Sequence, residues 1–150
     1  MAETITALSE PLFNALQQEN LVLLSTIDAE TGAPSTAAVS WLYATEPGII
    51  RFAIDQRSRI IANIRNNALV NVTVFAVETV HAIYGTAHII VDALEAVPFK
   101  LACVDITISA VRDAMFYGSR ISVTPEYEKT YDKRAAEKLD RQVFDAMKKA

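Results

Sequence analysis

The residues best suited to chemistry stand together in Arg51-Phe52-Ala53-Ile54-Asp55-Gln56-Arg57-Ser58-Arg59, a strand pattern that ends in hydrogen-bond donors where a helix pattern begins. The first backbone N–H groups of a helix have no partner within it, and the helix dipole places partial positive charge there. Ser58, Arg57 and Arg59 add side-chain donors, and the combination suits a phosphate or another anion. A plainer reading stands beside this one, in which Ser58 only caps the helix and the arginines face water.

Other reactive side chains offer less. The chain has no Gly-rich phosphate loop, no His-Glu-x-x-His, no cysteine pair and no Gly-x-Ser-x-Gly, so metal hydrolysis and triad chemistry have no footing and no metal site is expected. His81 and His88 lie seven apart in one strand pattern, which sends them to opposite faces rather than to a shared ion. Cys103 is the single cysteine, and its neighbours Leu101, Ala102 and Val104 mark a buried, inert thiol. Trp41 and Tyr43 are open to two uses, stacking on an aromatic ligand or packing in a core or dimer contact. Met115-Phe116-Tyr117 is similarly open.

The elements that must hold these residues follow from hydrophobic period. Ser9 to Asn20 reads as a short helix, with Ser9 as cap, Pro11 in the first turn, and Leu12, Phe13 and Leu16 on one face. Leu21 to Ile27 is a strand, Asp28-Ala29-Glu30-Thr31-Gly32 a turn, and Ser35 to Tyr43 the returning strand. After Thr45-Glu46-Pro47-Gly48 a third strand places Ile50, Phe52 and Ile54 on one face, opposite Ile49, Arg51 and Ala53. Ser58 then caps a helix carrying Ile60, Ile61 and Ile64, which stops near Asn66-Asn67.

From Ala68 to Val77 the alternation returns, with Val70, Val72 and Val74 on one face. Val80 to Val91 follows, where Gly85 predicts a bulge or bend, and Leu101 to Val111 is the sixth strand. Cys103 there is out of phase with Val104, Ile106 and Ile108. Glu126 to Lys149 is a charged, amphipathic helix with Ala135, Ala136, Leu139, Val143 and Met147 in one stripe, predicted to pack on the barrel or on a second subunit. The expected fold class is α+β, mainly β, with six antiparallel strands in a barrel and short helices around it.

At 150 residues the chain fits one domain, 1–150, and its 51% apolar and 21% charged composition fits a packed globule. A formal net charge of -4 disfavours a phosphate backbone as partner, so no nucleic acid is expected. The start, Met1 to Leu12, lacks a basic stretch followed by an apolar one, and no segment has roughly 18 uninterrupted apolar residues, so neither membrane nor export is expected and the predicted location is cytoplasmic.

The order of Gly32 to Pro34, Val39-Ser40-Trp41, Phe52-Ala53-Ile54, Ser58-Arg59, Asn63-Ile64 and Asn66-Asn67 before an alternating valine strand resembles the pyridoxamine 5'-phosphate oxidase-like split-barrel family. The likeness runs from about Leu21 to Val91 and more loosely beyond, and suggests a short member of the general-stress kind. It implies a split barrel and a homodimer that holds FMN in clefts between subunits. By position it implies Ser58 and Arg59, with Arg57 beside them, at the phosphate, and Val39, Ser40, Trp41, Ala53 and Ile54 along the ring. Ile60 stands where the family pattern often has Lys, and the chain closes on Met147-Lys148-Lys149-Ala150 instead of an Arg-Leu-x-Pro-like segment. The expected function is thus an FMN-dependent oxidoreductase whose substrate is not pyridoxamine phosphate, with a deazaflavin as a variant cofactor. The alternative is a non-catalytic protein that binds a flavin or another small ligand.

Overall fold

A computed structural model describes residues 4–150 of the chain. In chain order the elements are α1 (Glu10–Ala15), β1 (Val22–Ile27), β2 (Pro34–Val39), β3 (Leu42–Glu46), β4 (Ile49–Asp55), α2 (Arg59–Asn66), β5 (Leu69–Ala76), β6 (Thr79–Val91), β7 (Leu101–Asp113) and α3 (Lys133–Lys149). The strands form one antiparallel sheet in the order β2-β1-β5-β6-β7-β4-β3. Val22, Leu24, Val70, Val72, Val74, Ile83, Phe52, Ile50, Val104 and Ile106, drawn from both halves of that sheet, meet in one apolar interior that Leu12 and Leu16 cover at one end.

Seven strands replace the six expected, because the run Ser35 to Tyr43 is two strands. β2 pairs with β1, from Val22 opposite Val39 to Ile27 opposite Pro34, whereas β3 pairs with β4, with Leu42 opposite Phe52. The chain therefore leaves one edge of the sheet and joins the other at Ser40-Trp41. That corner is held by Leu42 N–H donating to the Ser40 carbonyl at 2.9 Å and Ala53 N–H donating to the Trp41 carbonyl at 3.0 Å.

The first helix also ends earlier than its apolar pattern suggests. The Asn20 amide donates to the Ala15 carbonyl at 2.6 Å, and Ala44 N–H of β3 donates to the Leu16 carbonyl at 3.0 Å. Carbonyls that another helical turn would have used are thus occupied by a side chain and by the sheet.

Period two describes the strands well. Ile50 and Phe52 of β4 face the interior, and Ala53 faces outward into a second apolar cluster. In β7, Val104, Ile106 and Ile108 point inward while Cys103 points out into that cluster. The irregularity expected at Gly85 is present, but the extra residue is Ser109 on the facing strand, since Tyr84 pairs with Ala110 and Gly85 with Ile108. A Cβ on Gly85 would lie 2.5 Å from Ile106 Cγ2 and 2.5 Å from the Thr107 carbonyl oxygen.

The C-terminal helix begins at Lys133, later than Glu126, where the Asp132 carboxylate accepts from Arg134 N–H at 2.8 Å. Its residues Val143, Ala146 and Met147 pack on Tyr43, Ala53, Leu101 and Cys103 of the same chain; Ala136 is also buried, while Ala135 is exposed. Tyr43 meets Phe144 edge to face with ring centroids 6.3 Å apart, so its use is packing. The far end is pinned by Arg51, which grips Asp105 with two bonds of 2.6 and 3.0 Å and donates to the Met147 carbonyl at 2.8 Å. A cation at these carbonyls meets the negative end of the helix dipole. Among the described residues no helix is long and apolar enough to cross a membrane.

Candidate functional site

The corner between β2 and β3 opens beside the end of β4, and the two together wall a cleft of about 450 Å³. Its lining joins Val39, Ser40 and Trp41 to Ala53, Ile54 and Asp55, with Phe99, Leu101 and Lys129 arriving from later in the chain. All five residues expected along a ligand ring are therefore brought together. The volume lies within the roughly 300–1,000 Å³ of small-molecule and cofactor sites, and the mix of apolar wall, aromatic faces and a few polar groups is typical of them.

Trp41 reads differently from a packed core residue. Its indole N–H donates to Asp140 Oδ1 of α3 at 2.9 Å, which fixes the plane of the ring at the rim of the cleft. Asp140 in turn binds Lys129, whose Nζ lies 3.3 Å from Asp140 Oδ2 and 2.9 Å from Glu19 Oε1. The Tyr127 hydroxyl donates to the same Glu19 carboxylate, and the ammonium stands 5.7 Å from the Tyr127 ring centre. Burial works against the charge on Lys129, but the two carboxylates outweigh it and hold its pKa above the ordinary lysine value. Burial, then the bond to Glu19, keeps the Tyr127 phenol protonated well above its usual range.

Sequence reasoning missed Phe99, Leu101, Lys129 and Asp140. Lys129 and Asp140 fall in a stretch dense in charges of both signs, which supplied no signal beyond an amphipathic helix; only tertiary folding brings them to Trp41.

The donor turn lies next to this cleft and faces a different hollow. Arg57 and Arg59 line a smaller depression of about 220 Å³ with Asp28, Glu30 and Asn63. Ser58 caps α2 as expected, its Oγ accepting from Ile60 N–H at 3.1 Å. Arg57 Nε and Nη2 each lie 3.2 Å from a carboxylate oxygen of Asp55, which itself lines the larger cleft. Arg59 Nη1 stands 3.5 Å from Asp28 Oδ2. Both arginine side chains are mostly exposed, at 88% and 72%.

Asp28 is held ionised below the usual carboxylate range by the N–H groups of Thr31 and Glu30, each donating to it at 2.9 Å. Asp55 is likewise lowered, by the side chain and then the backbone of Arg57. Asn63, buried, donates to Thr26 Oγ1 at 2.9 Å and accepts from Ala29 N–H at 2.9 Å, tying α2 to β1 and to the turn below the arginines. The structure thus makes Ser58 a cap and gives each arginine a carboxylate partner, and it puts Asp55 between the donor turn and the apolar cleft.

Elsewhere the candidates stay apart. His81 takes a bond of 3.0 Å with the Ala76 carbonyl at a hairpin end, and His88 is exposed on the other face. Cys103 is fully buried, and burial pushes its thiol up to about 11. Phe116 and Tyr117 are exposed on the loop after β7. Among the described residues no group of metal-ligating side chains is arranged to hold an ion.

Comparison with known proteins gives a consistent picture. Residues 8–114 match the family model for pyridoxamine 5'-phosphate oxidase. No curated protein sequence matches the chain. Among solved structures, one assigned as a pyridoxamine 5'-phosphate oxidase from Lactobacillus delbrueckii superposes with a TM-score of 0.62 at 21% identity, over 72% of this chain and 95% of that one. The General Stress Protein 26 of Bacillus anthracis gives 0.56 at 18% identity, over 68% of this chain and 89% of that chain. An F420 reductase gives 0.59 at 16% identity, over 70% and 98%. At these identities the structures share the fold.

Proposed function

Because the chain belongs to the pyridoxamine 5'-phosphate oxidase family, we propose that it is a flavin-binding oxidoreductase that takes FMN, or a deazaflavin of like shape, in the cleft at the β2–β3 corner. The observation that carries this reading is the convergence of Val39, Ser40, Trp41, Ala53 and Ile54 on one cavity of about 450 Å³ with a fixed indole at its rim. A planar ring gains both apolar burial and stacking there. The phosphate end lies toward Arg57, Ser58 and Arg59 at the start of α2, where N–H groups and the helix dipole favour negative charge. In binding, the phosphate takes over the arginine bonds that Asp55 and Asp28 now accept. The exposed arginine side chains have room to turn for this exchange.

A bound flavin supplies the hydride or electron transfer. The chain's residues orient it, exclude water along the Val39 and Ile54 walls, and keep Trp41 in register through Asp140. Ile60 occupies the position of the family's usual lysine, so the arginines carry the phosphate. Residues 1–150 act as one unit, since the tail beyond the matched family region contributes to the cleft wall.

Trp41 is the single tryptophan, so its emission reports the cleft directly. Titration with FMN quenches it, and the bound cofactor gives a visible flavin spectrum. Arg59→Ala weakens FMN about tenfold, the value of one charge-assisted hydrogen bond, and leaves riboflavin binding unchanged. No quenching by FMN removes the flavin reading; equal loss for FMN and riboflavin removes Arg59 from the phosphate site.

One observation favours a second reading, a flavin-binding protein without catalysis. The ionisable side chains that line the cleft, Asp55 and Lys129, are both engaged in ion pairs and offer no free acid or base. Bleaching of the bound flavin by a nicotinamide donor supports the enzyme, and colour that no donor reduces supports the binder.

A further inference from the structure

Among the described residues, the one cation that lines the cleft does not come from the donor turn. Lys129 reaches it from the loop before α3, beyond the segment that the family model matches. It is held on both sides, 2.9 Å from Glu19 and 3.3 Å from Asp140, and the three side chains are only 25%, 18% and 19% exposed. Asp140 also receives the Trp41 indole N–H, so the cation and the aromatic wall share one anchor. An ammonium has three N–H donors. Two carboxylates engage it here, which leaves a donor for an acceptor in the cleft. The cluster carries two negative charges against one positive, and at this burial it is weakly screened by salt.

Resting on the flavin reading above, we propose that Lys129 is the residue that meets the ring edge of the cleft's ligand as a hydrogen-bond donor, and that the Glu19–Lys129–Asp140 cluster sets how readily that ring takes on negative charge. A ring carbonyl accepts the third N–H of Lys129. Reduction of a flavin puts electron density on that edge, so a charge change in the cluster alters affinity for the reduced form more than for the oxidised form. Removing the lysine moves the cluster from one excess negative charge to two. Neutralising Glu19 moves it to zero.

The test measures the two-electron midpoint potential of bound FMN, with FMN and riboflavin affinities from Trp41 quenching, in wild type, Lys129→Met, Lys129→Arg and Glu19→Gln. In Lys129→Met the reduced form loses about tenfold more affinity than the oxidised form, a fall of about 30 mV for a two-electron couple. FMN and riboflavin weaken by the same factor, since the contact is at the ring. Glu19→Gln shifts the potential upward, and Lys129→Arg stays near wild type. A purely structural cluster gives shifts of one sign for Lys129→Met and Glu19→Gln, and that result overturns the proposal. So does a Lys129→Met protein with wild-type potential and affinities, or one weakened for FMN alone. Wild type that binds neither FMN nor riboflavin overturns the flavin reading itself, and the proposal falls with it.

Discussion

Gly85 and Cys103 show how single residues hold the sheet that carries the cleft. Gly85 faces inward where β7 carries its extra residue, and a methyl group there would meet backbone at 2.5 Å. Gly85→Ala is therefore expected to destabilise the fold by about 1–3 kcal/mol, the usual cost of overpacking, seen as a lower urea midpoint at unchanged slope. An unchanged midpoint would mean that β6 and β7 yield easily at the bulge. Cys103 lies on the outer face against α3, with its thiol pushed up to about 11 by burial. In the unfolded chain a thiol ionises from about pH 8.5 upward, so the unfolded state sheds a proton that the folded state keeps until near pH 11. Stability contributed by the buried thiol is then complete below that range and declines between the two values. Cys103→Ala should flatten the alkaline limb of a stability profile; a variant with the same decline assigns it to other groups.

At the level of elements, the β5–β6 hairpin is joined by Val77 and Glu78, both at positive φ, 53° and 63°. Ala76 pairs with Thr79, so the loop has two residues and the geometry that Asn-Gly serves best. A β-branched residue in the left-handed region costs about 1–2 kcal/mol, and Val77 is half exposed, so its side chain returns little. Val77→Asn with Glu78→Gly should raise the melting temperature, because relief of strain at two positions exceeds the added freedom of the unfolded chain; no rise would show that the turn is not strained. The same turn explains part of what the sequence hides. Val77 is apolar and carries no turn signal, so the sequence pattern ends the first strand at Val77 and starts the next at Val80, each one residue later than the observed Ala76 and Thr79. Ser40-Trp41 contains no Gly or Pro, and the break there exists only because the chain changes partner from β1 to β4. By contrast, the alternation of Val70, Val72 and Val74, the Ser58 cap and the outward phase of Cys103 are local or strictly periodic, and all were readable. Five cleft residues were readable only through family resemblance, and Lys129 not at all, since its position depends on where α3 docks.

For the whole molecule, the outward face of β1, β5 and β6 has features that a lone chain leaves unresolved. Leu69 is 61% exposed there, and Tyr84 stands directly across from Asn71 with Arg112 5.5 Å above its ring. Asn71 Oδ1 is buried with no hydrogen-bond partner among the described residues, a cost of about 1–3 kcal/mol unless a donor is supplied from outside. We propose that a second copy of the chain covers this face and makes the dimer expected of the family. A stable interface needs roughly 800 Å² from each partner, more than these side chains alone, so neighbouring residues of the same face must join them. Sedimentation at low micromolar concentration should give a dimer for wild type. Leu69→Glu combined with Tyr84→Glu should give a monomer with the same circular dichroism, since both side chains lie outside the core. A monomeric wild type would end the dimer proposal and leave Asn71 to water. A double variant that stays dimeric would move the interface to another face, where the exposed Phe116 and Tyr117 become the next residues to change.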